Sequence, residues 1–436
     1  MNSRTYFLLT VRGIQKSCER VFRPSLNGRP VIVLSSNDGC AIARSNEAKA
    51  IGIKMGAPWF EIRHLEEQEG LVALSANFAL YGDMSDRMMS IAAGLGPVQE
   101  IYSIDESFIG LDGVRGDLTR RSRVVRDRIN QWTGIPCGVG IGSTKTLAKL
   151  ANHIAKTAER KPGSYPENLA TVCNLANLPG SDIDALLAAT DVGEVWGVGR
   201  RIGQQLRDAG VNTVLDLARL SPSMVRDRWS VVLERTVREL QGEACISLED
   251  APSPKKQIAC TRSFGHPISE IGPLIEAVSK STSRAAEKLR HQSGLASQIL
   301  VFAHTSPFRP GPHFSKSIVI PLRRPTADTR HLVQAVVMGV TQIYKPGFKI
   351  AKAGVMLLDL MPDIVSQGEF DFDAPETRDR SKLMVAMDAI NDRFGRGAIH
   401  VGSAVGAGAS RDWSMRQERL TPQYTTKFSD LPVARA

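Results

Sequence analysis

Through about residue 160 the chain alternates short apolar runs with segments of helical spacing. Tyr6-Phe7-Leu8-Leu9 begins a strand, and Cys18 to Phe22 continues a short helix. Arg29 to Leu34 reads as a buried strand ended by the turn sequence Ser35 to Gly39. Cys40 to Arg44 is strand-like, and Ser45 is placed to cap a short helix, Asn46 to Ile51, closed by Gly52. Gly56-Ala57-Pro58-Trp59 breaks the pattern. Leu80, Met84, Met88 and Ile91 then predict a helix over Asn77 to Leu95. Ile101 to Gly110 is rich in β-branched and aromatic residues and predicts one strand, or two short strands meeting at Asp105 and Glu106. A basic amphipathic helix (Leu118 to Thr133), a short apolar strand (Gly138 to Gly142) and a helix from Thr144 to Lys156, capped by Ser143, follow. This alternation predicts an α/β or α+β layered domain.

Beyond a breaker-rich connector, Arg160 to Asn168, helical segments dominate from Ala170 to Gln241. Ala251 to Lys256 is a basic, proline-bearing linker. Strand runs at Gln257–Ser263, Gln298–Thr305, Ser315–Leu322 and Ala353–Leu360, with helices at Ile271–Arg290 and Thr329–Ile343, predict a separate α+β module. Past Met361 the chain is polar and is expected to be irregular, and no internal repeat is visible.

A length of 436 residues implies two to four domains. A hydrophobic share of 42% supports packed cores and argues against global disorder. The net charge of +10 suggests a polyanionic partner, nucleic acid or an anionic membrane surface, or simply a basic surface. Six scattered cysteines form no CxxC pair or His/Cys cluster, which argues against zinc and for reduced thiols in a cytoplasmic protein. No apolar run reaches the length of a membrane span, and the first residues lack the apolar core of a signal peptide.

Four motifs carry candidate chemistry. Carboxylates on a buried strand are costly unless neutralised, so Asp105 and Glu106 read either as a site for a hard divalent cation or as acids in a hairpin turn. Gly138-x-Gly140-x-Gly142-Ser143-Thr144-Lys145 offers backbone amides and lysines to a phosphate, or is a glycine-rich packing contact; it does not have P-loop spacing. Val195-Trp196-Gly197-Val198-Gly199-Arg200-Arg201 fits a helix-hairpin-helix, whose tight turn points amides at a nucleic-acid phosphate, or an ordinary helical hairpin. In the tail, Gln367, Phe370 and Phe372 could form a short peptide ligand, or the aromatics could pack onto the body.

Taken together the residues resemble Y-family DNA polymerases, of the type of the catalytic subunit of bacterial DNA polymerase V (UmuC type). The resemblance runs from Ser17 to the end. It rests on Ser17 to Pro24, Asn37 to Arg44, Tyr102 to Glu106, Thr144 to His153, Val195 to Arg201 and the late Tyr424-Thr425-Thr426. It implies an α+β, multidomain right-hand polymerase. The palm would span 1–25 and 75–165, the fingers 26–74, the thumb with its helix-hairpin-helix 166–250, and the little finger 257–360. A partner-binding tail would fill 361–436. The implied activity is error-prone translesion synthesis in the SOS response to DNA damage. Asp105 and Glu106 would be ligands of two Mg²⁺ ions, and Arg44, Lys49 and Lys156 would contact the incoming dNTP. Gly197, Gly199, Arg200 and Arg201 would contact primed, damaged DNA. Gln367, Phe370 and Phe372 would match a sliding-clamp motif, with Phe370 where Leu is usual. A UmuD-type accessory dimer and a RecA filament are the further partners the family implies.

One position departs from the pattern. The family's first strand ends in an Asp, the third metal carboxylate, and here that position is Thr10. The two aromatics expected before the Ser17 segment, the second a steric gate against ribonucleotides, are Ile14 and Gln15. Two readings follow. Either a working polymerase has its first 16 residues altered by a frameshift or wrong start, or the chain is a catalytically impaired polymerase-fold DNA-binding protein. A two-metal nuclease is a third class, but it gives the later motifs no role.

Overall fold

The computed structural model describes residues 5–11, 13–249, 253–364, 380–395, 397–404 and 413–433. The chain divides into two compact units: Met1–Ser35, Gly39–Pro252 and Arg419–Ala436 in the first, and Ser36–Asp38 with Ser253–Glu418 in the second.

The first unit begins with β1 (Tyr6–Val11) and α1 (Ile14–Phe22). An insertion follows: β2 (Val31–Leu34), β3 (Ala41–Arg44), α2 (Asn46–Ala50), α3 (Trp59–Ile62), α4 (Leu65–Gln68) and β4 (Val72–Ser75). Its sheet has the order β3-β2-β4. The first layer resumes with α5 (Phe78–Ala93), β5 (Val98–Ile101), β6 (Glu106–Gly110), α6 (Leu118–Thr133), β7 (Cys137–Gly142), α7 (Lys145–Arg160) and β8 (Val172–Asn174). These strands form a sheet of order β5-β6-β1-β7-β8.

β1 is therefore the central strand, antiparallel to β6 on one side and β7 on the other. Side chains alternate across a strand, and both faces of β1 are covered. Phe7, Leu9 and Val11 enter the core built with α1, α5 and α6, whereas Tyr6 and Leu8 join Phe108 and Ala148 of α7 on the opposite face. Two-sided burial explains why Tyr6-Phe7-Leu8-Leu9 is continuously apolar.

The glycine run of β7 has a packing role. A Cβ on Gly140 would lie 2.2 Å from the Ala148 carbonyl oxygen and 2.3 Å from the Asn152 nitrogen, both backbone atoms of α7. A Cβ on Gly142 would meet the Ala148 nitrogen at 2.6 Å. Glycine lets α7 lie directly on the sheet. The cap of α7 is Thr144, whose hydroxyl accepts from Leu147 N, one residue later than the Ser143 expected. The first turn of α7 is completed by Glu239, a fully buried carboxylate that accepts from Thr146 N at 2.9 Å, Cys245 N at 3.0 Å and Ile246 N at 2.9 Å. A carboxylate at a helix N-terminus complements the helix dipole, and three amide donors offset its desolvation.

Helices α8 (Gly180–Ala188), α9 (Arg200–Asp208), α10 (Val214–Ala218), α11 (Pro222–Arg228) and α12 (Val231–Leu240) bury one apolar cluster that includes Leu187, Leu217, Val225 and Val237. The expectation of helices from Ala170 onward is corrected at Val172–Asn174, which pairs in parallel with β7 as an edge strand.

In the second unit β9 (Ile258–Ile268), α13 (Ile271–His291), β10 (Gly294–Thr305), β11 (Ser315–Thr326), α14 (Thr329–Ile343) and β12 (Ile350–Pro362) give a four-stranded antiparallel sheet of order β11-β10-β12-β9. Both helices bury Leu274, Val278, Leu332 and Val336 in the core under that sheet. The region past Met361, expected to be irregular, contains α15 (Ser381–Phe394). It is held by a bidentate pair from Arg290 to Asp388, both contacts 2.6 Å, and by buried Met384. Its polar residues hid a helix that has only a narrow buried face. No helix among the described residues is long and apolar enough to cross a membrane.

Because the methyl group would strike the backbone of α7, Gly140→Ala is expected to destabilise the first unit by roughly 1–3 kcal/mol or more. Chemical denaturation of the two proteins measures the difference.

Candidate active site

The acidic pair sits where β5 turns into β6. Tyr102 to Asp105 form the turn and Glu106 is the first residue of β6, so the hairpin expectation and the two-strand expectation are both met. The turn is pinned from three sides. Tyr102 N and Ser103 N donate to Glu106 O at 3.0 and 3.1 Å, Ser85 of α5 donates its hydroxyl to Ile104 O at 2.7 Å, and Val11 N donates to Asp105 O at 2.8 Å. The last of these fixes the turn to the end of β1.

Thr10 lies directly opposite Glu106 in the β1–β6 register. Its Oγ1 is 3.5 Å from Glu106 Oε1, while Asp105 Oδ1 accepts from the Ser103 hydroxyl at 2.7 Å. The structure thus brings Thr10, Asp105 and Glu106 together at one rim of the sheet. Two half-buried carboxylates and a hydroxyl are oxygen donors suited to a hard cation that takes its remaining ligands from substrate phosphate and water. Thr10 is neutral and adds no charge to this group.

Lys149 on α7, one of the lysines that follow the glycine run and were read as favouring phosphate, completes the local charge. Its Nζ is 3.1 Å from Glu106 Oε2 and lies 4.5 Å from the ring centre of Tyr102 and 4.6 Å from that of Trp196. One turn earlier, buried Lys145 bonds Glu100 at 2.7 and 3.0 Å and sits 4.7 Å from the Phe108 ring centre. Tyr102, Phe108 and Trp196 pack against each other with centroids 5.6–6.0 Å apart. The spacing of Lys145 and Lys149, four residues apart, was the available signal; what they face could be seen only once α7 lay on the sheet.

Trp196 leads into the glycine turn. Gly197 has φ +90°, a conformation that needs glycine, and Gly199 caps α9 with open space around it. Arg200 and Arg201 are exposed at the first turn of α9, where backbone N–H groups have no intrahelical partner.

Two of the remaining expected residues, Arg44 and Lys49, form a basic group with Arg160. Arg44 at the end of β3 donates to Ile53 O at 2.6 Å, and its Nε is buried without a hydrogen-bond partner. Lys49 on α2 has its pKa lowered by burial first, then by the positive charges of Arg160 and Arg44. Three cations drawn together this way suit a polyanion. Arg160 is a further member that sequence reading missed, because it ends α7, far along the chain from α2. Lys156 is half-buried one turn before Arg160, whose Nε donates to its carbonyl at 3.0 Å. The tail motif, Gln367, Phe370 and Phe372, lies outside the described residues.

Solved structures share this architecture. A chimeric Dbh Y-family DNA polymerase matches with a TM-score of 0.61, covering 82% of this chain and 99% of that one at 16% identity. An insertion ternary complex of Dbh DNA polymerase matches with a TM-score of 0.53 over the same shares, also at 16% identity. The chain therefore has the α+β fold of these Y-family DNA polymerase structures. It belongs to the impB/mucB/samB family: that family's model matches residues 14–153 and its C-terminal domain model residues 255–370. Residues 381–434 match a domain of unknown function. Among relatives, the protein ImpB of Salmonella typhimurium is 42% identical over 434 residues, 99% of each chain. UmuC of Salmonella typhimurium strain LT2 is 43% identical over 98% of this chain and 99% of its own. A DNA polymerase IV of Pelotomaculum thermopropionicum is 26% identical over 90% of this chain and 93% of its own.

The two lysines are expected to separate in their effects. Lys145→Met strands a nearly buried Glu100 and should cost about 3–5 kcal/mol. Lys149→Met, at a more exposed pair, should cost about 1 kcal/mol. Urea unfolding of both variants checks the contrast.

Proposed function

We propose that this chain is the catalytic subunit of an error-prone translesion DNA polymerase that extends primers across damaged template. The observation that carries the reading is the delivery of Asp105 and Glu106 by a pinned hairpin to the end of the central strand. On this reading the five-stranded sheet is the palm, the β3-β2-β4 insertion the fingers, the α8–α12 cluster the thumb and the four-stranded sheet the little finger. Arg44, Lys49 and Lys156, with Arg160 beside them, bind and orient the triphosphate of the incoming dNTP through charge. The turn at Gly197–Gly199, with Arg200 and Arg201, holds the DNA backbone without reading its sequence. Asp105 and Glu106 would hold two Mg²⁺ ions, whose chemistry when bound is to lower the pKa of the primer 3′-OH and to neutralise charge on the triphosphate. Lys149 keeps Glu106 neutralised and oriented. The sliding clamp through Gln367, Phe370 and Phe372, a UmuD-type dimer and RecA are the partners this reading assigns, and the SOS response is its setting.

The second reading, a polymerase-fold DNA-binding protein with weak catalysis, is favoured by Thr10. β1 is fully paired and buried, so the fold survives the exchange and only a charge is lost. Losing one of three carboxylates should weaken metal-assisted catalysis by about 3 kcal/mol, roughly a hundredfold in rate.

Thr10→Asp is accordingly expected to raise Mg²⁺-dependent primer extension about a hundredfold, with Asp105→Ala abolishing extension in either background. Primer extension opposite an abasic site, run on all four proteins, measures this. Equal rates for the original chain and Thr10→Asp would sink the role given to Thr10. Replacing Arg200 and Arg201 by Ala should weaken binding to duplex DNA evenly across sequences. It should also lower the salt slope of log K by about 1.8. Fluorescence anisotropy at several salt concentrations reads that slope.

A further inference from the structure

The last described segment of the chain, within the match to the domain of unknown function, returns to the first unit. There it lies across both points where the β3-β2-β4 insertion joins the five-stranded layer. On the entry side, Tyr424 stacks on Phe22 at the end of α1, with ring centres 4.7 Å apart and planes within 7°. The Thr421 hydroxyl donates to Glu19 Oε1 of the same helix at 3.1 Å. On the exit side, Ser75 N donates to Arg419 O, and Arg419 N to Ser75 Oγ, both at 3.0 Å. Asn77 Nδ2 bonds the Thr421 carbonyl, the Thr421 hydroxyl and the Pro422 carbonyl at 3.1, 3.2 and 3.1 Å. Within the insertion, Arg419 forms a bidentate pair with Glu66 of α4, at 2.5 and 2.9 Å, and lies 4.8 Å from the Trp59 ring centre on α3.

We infer that residues 419–424 are a staple that fixes the insertion to the five-stranded layer, and so sets the position of the cations of β3 and α2 relative to that layer.

The contacts have the character of a designed joint. Thr421, Asn77 and Glu19 are buried at 4%, 2% and 0% exposure. Tyr81 of α5 donates to the same Glu19 oxygen at 2.7 Å, so one buried carboxylate ties α1, α5 and the staple together. Burial raises the Glu19 pKa above the ordinary carboxylate value, so the position is costly to maintain and is offset by the donors that Tyr81 and Thr421 bring. Arg419, Thr421, Pro422 and Tyr424 thereby contact α1, β4, α3, α4 and the N-cap of α5. Each is a positioning residue: none touches the acidic rim or the basic group.

The consequence for nucleotide binding rests on the polymerase reading given above; the mechanical claim does not. The test uses the full chain with Thr421→Val and Tyr424→Ala combined, and with Tyr424→Phe, which keeps the ring. Hydrogen exchange is measured over residues 31–75 and over β1, β6 and β7. In the Thr10→Asp background, KM for the incoming dNTP and kcat are measured as well. The paired substitutions should speed exchange across 31–75 while the three central strands keep their protection. They should also raise KM about tenfold and change kcat less than about twofold. Tyr424→Phe should behave as the parent. Unchanged exchange in 31–75, or an equal loss of protection in β1, β6 and β7, would overturn the staple. Faster exchange in 31–75 with an unchanged KM would overturn its role in nucleotide positioning. Should no protein extend primers, the polymerase reading fails, and the exchange result still decides for or against the staple.

Discussion

A strand bonded on both sides and buried on both faces has almost no freedom left, and β1 is held in that way from Tyr6 to Val11. Its register sets what stands at its end. A shift of one residue would turn Phe7, Leu9 and Val11 to the α7 face, where glycines have been placed to let a helix approach closely. The hairpin that carries the acids then closes against Val11, so its position is inherited from the core. Thr10 shows how far this frame is independent of the chemistry it displays. A β-branched residue suits a strand, and its hydroxyl sits opposite Glu106 without disturbing the pairing.

Charge on the α7 face is managed by pairing and by aromatic rings. Glu100 and Lys145 neutralise each other in the interior, Glu239 is met by three amides, and Lys149 lies between Glu106 and two rings. Trp196 joins this cluster from the segment that begins the glycine turn. The proposed DNA-contacting turn and the acidic rim therefore share a lysine. A cation–π contact is worth on the order of 1 kcal/mol, enough to orient the turn without locking it.

Much of the fold was legible because the strong patterns are local. The apolar runs of β1, β2 and β7, the helical spacing of Leu80, Met84 and Met88, and the module from Gln257 to Leu360 all announced their elements. Val172–Asn174 did not, since three residues carry too little periodicity to stand out from neighbouring helices. The helix over Ser381–Phe394 was hidden because Met384 is its only buried residue. At the site, Asp105 and Glu106 stood out as adjacent acids within a strand pattern, and the exchange at Thr10 stood out by counting back from Ser17. The partners of Lys149, and the parts played by Arg160 and Thr421, could not be found this way. Each matters through a neighbour distant in sequence, and one chain read by itself carries no signal of that adjacency.

The pairing of Thr421 with Glu19 spans 402 positions. A chain leaving the ribosome is made at about 5–20 residues per second, N-terminal segments first. For tens of seconds α1 and α5 exist with their shared carboxylate unsatisfied on one side, and the join between insertion and sheet stays open. Only residues 419–424, made long after either helix, close it. Any product cut short by a premature stop or by a protease lacks this closure, however well its sheets have formed. The join that sets the insertion against the sheet is thus the last of these contacts to form, after every element it connects.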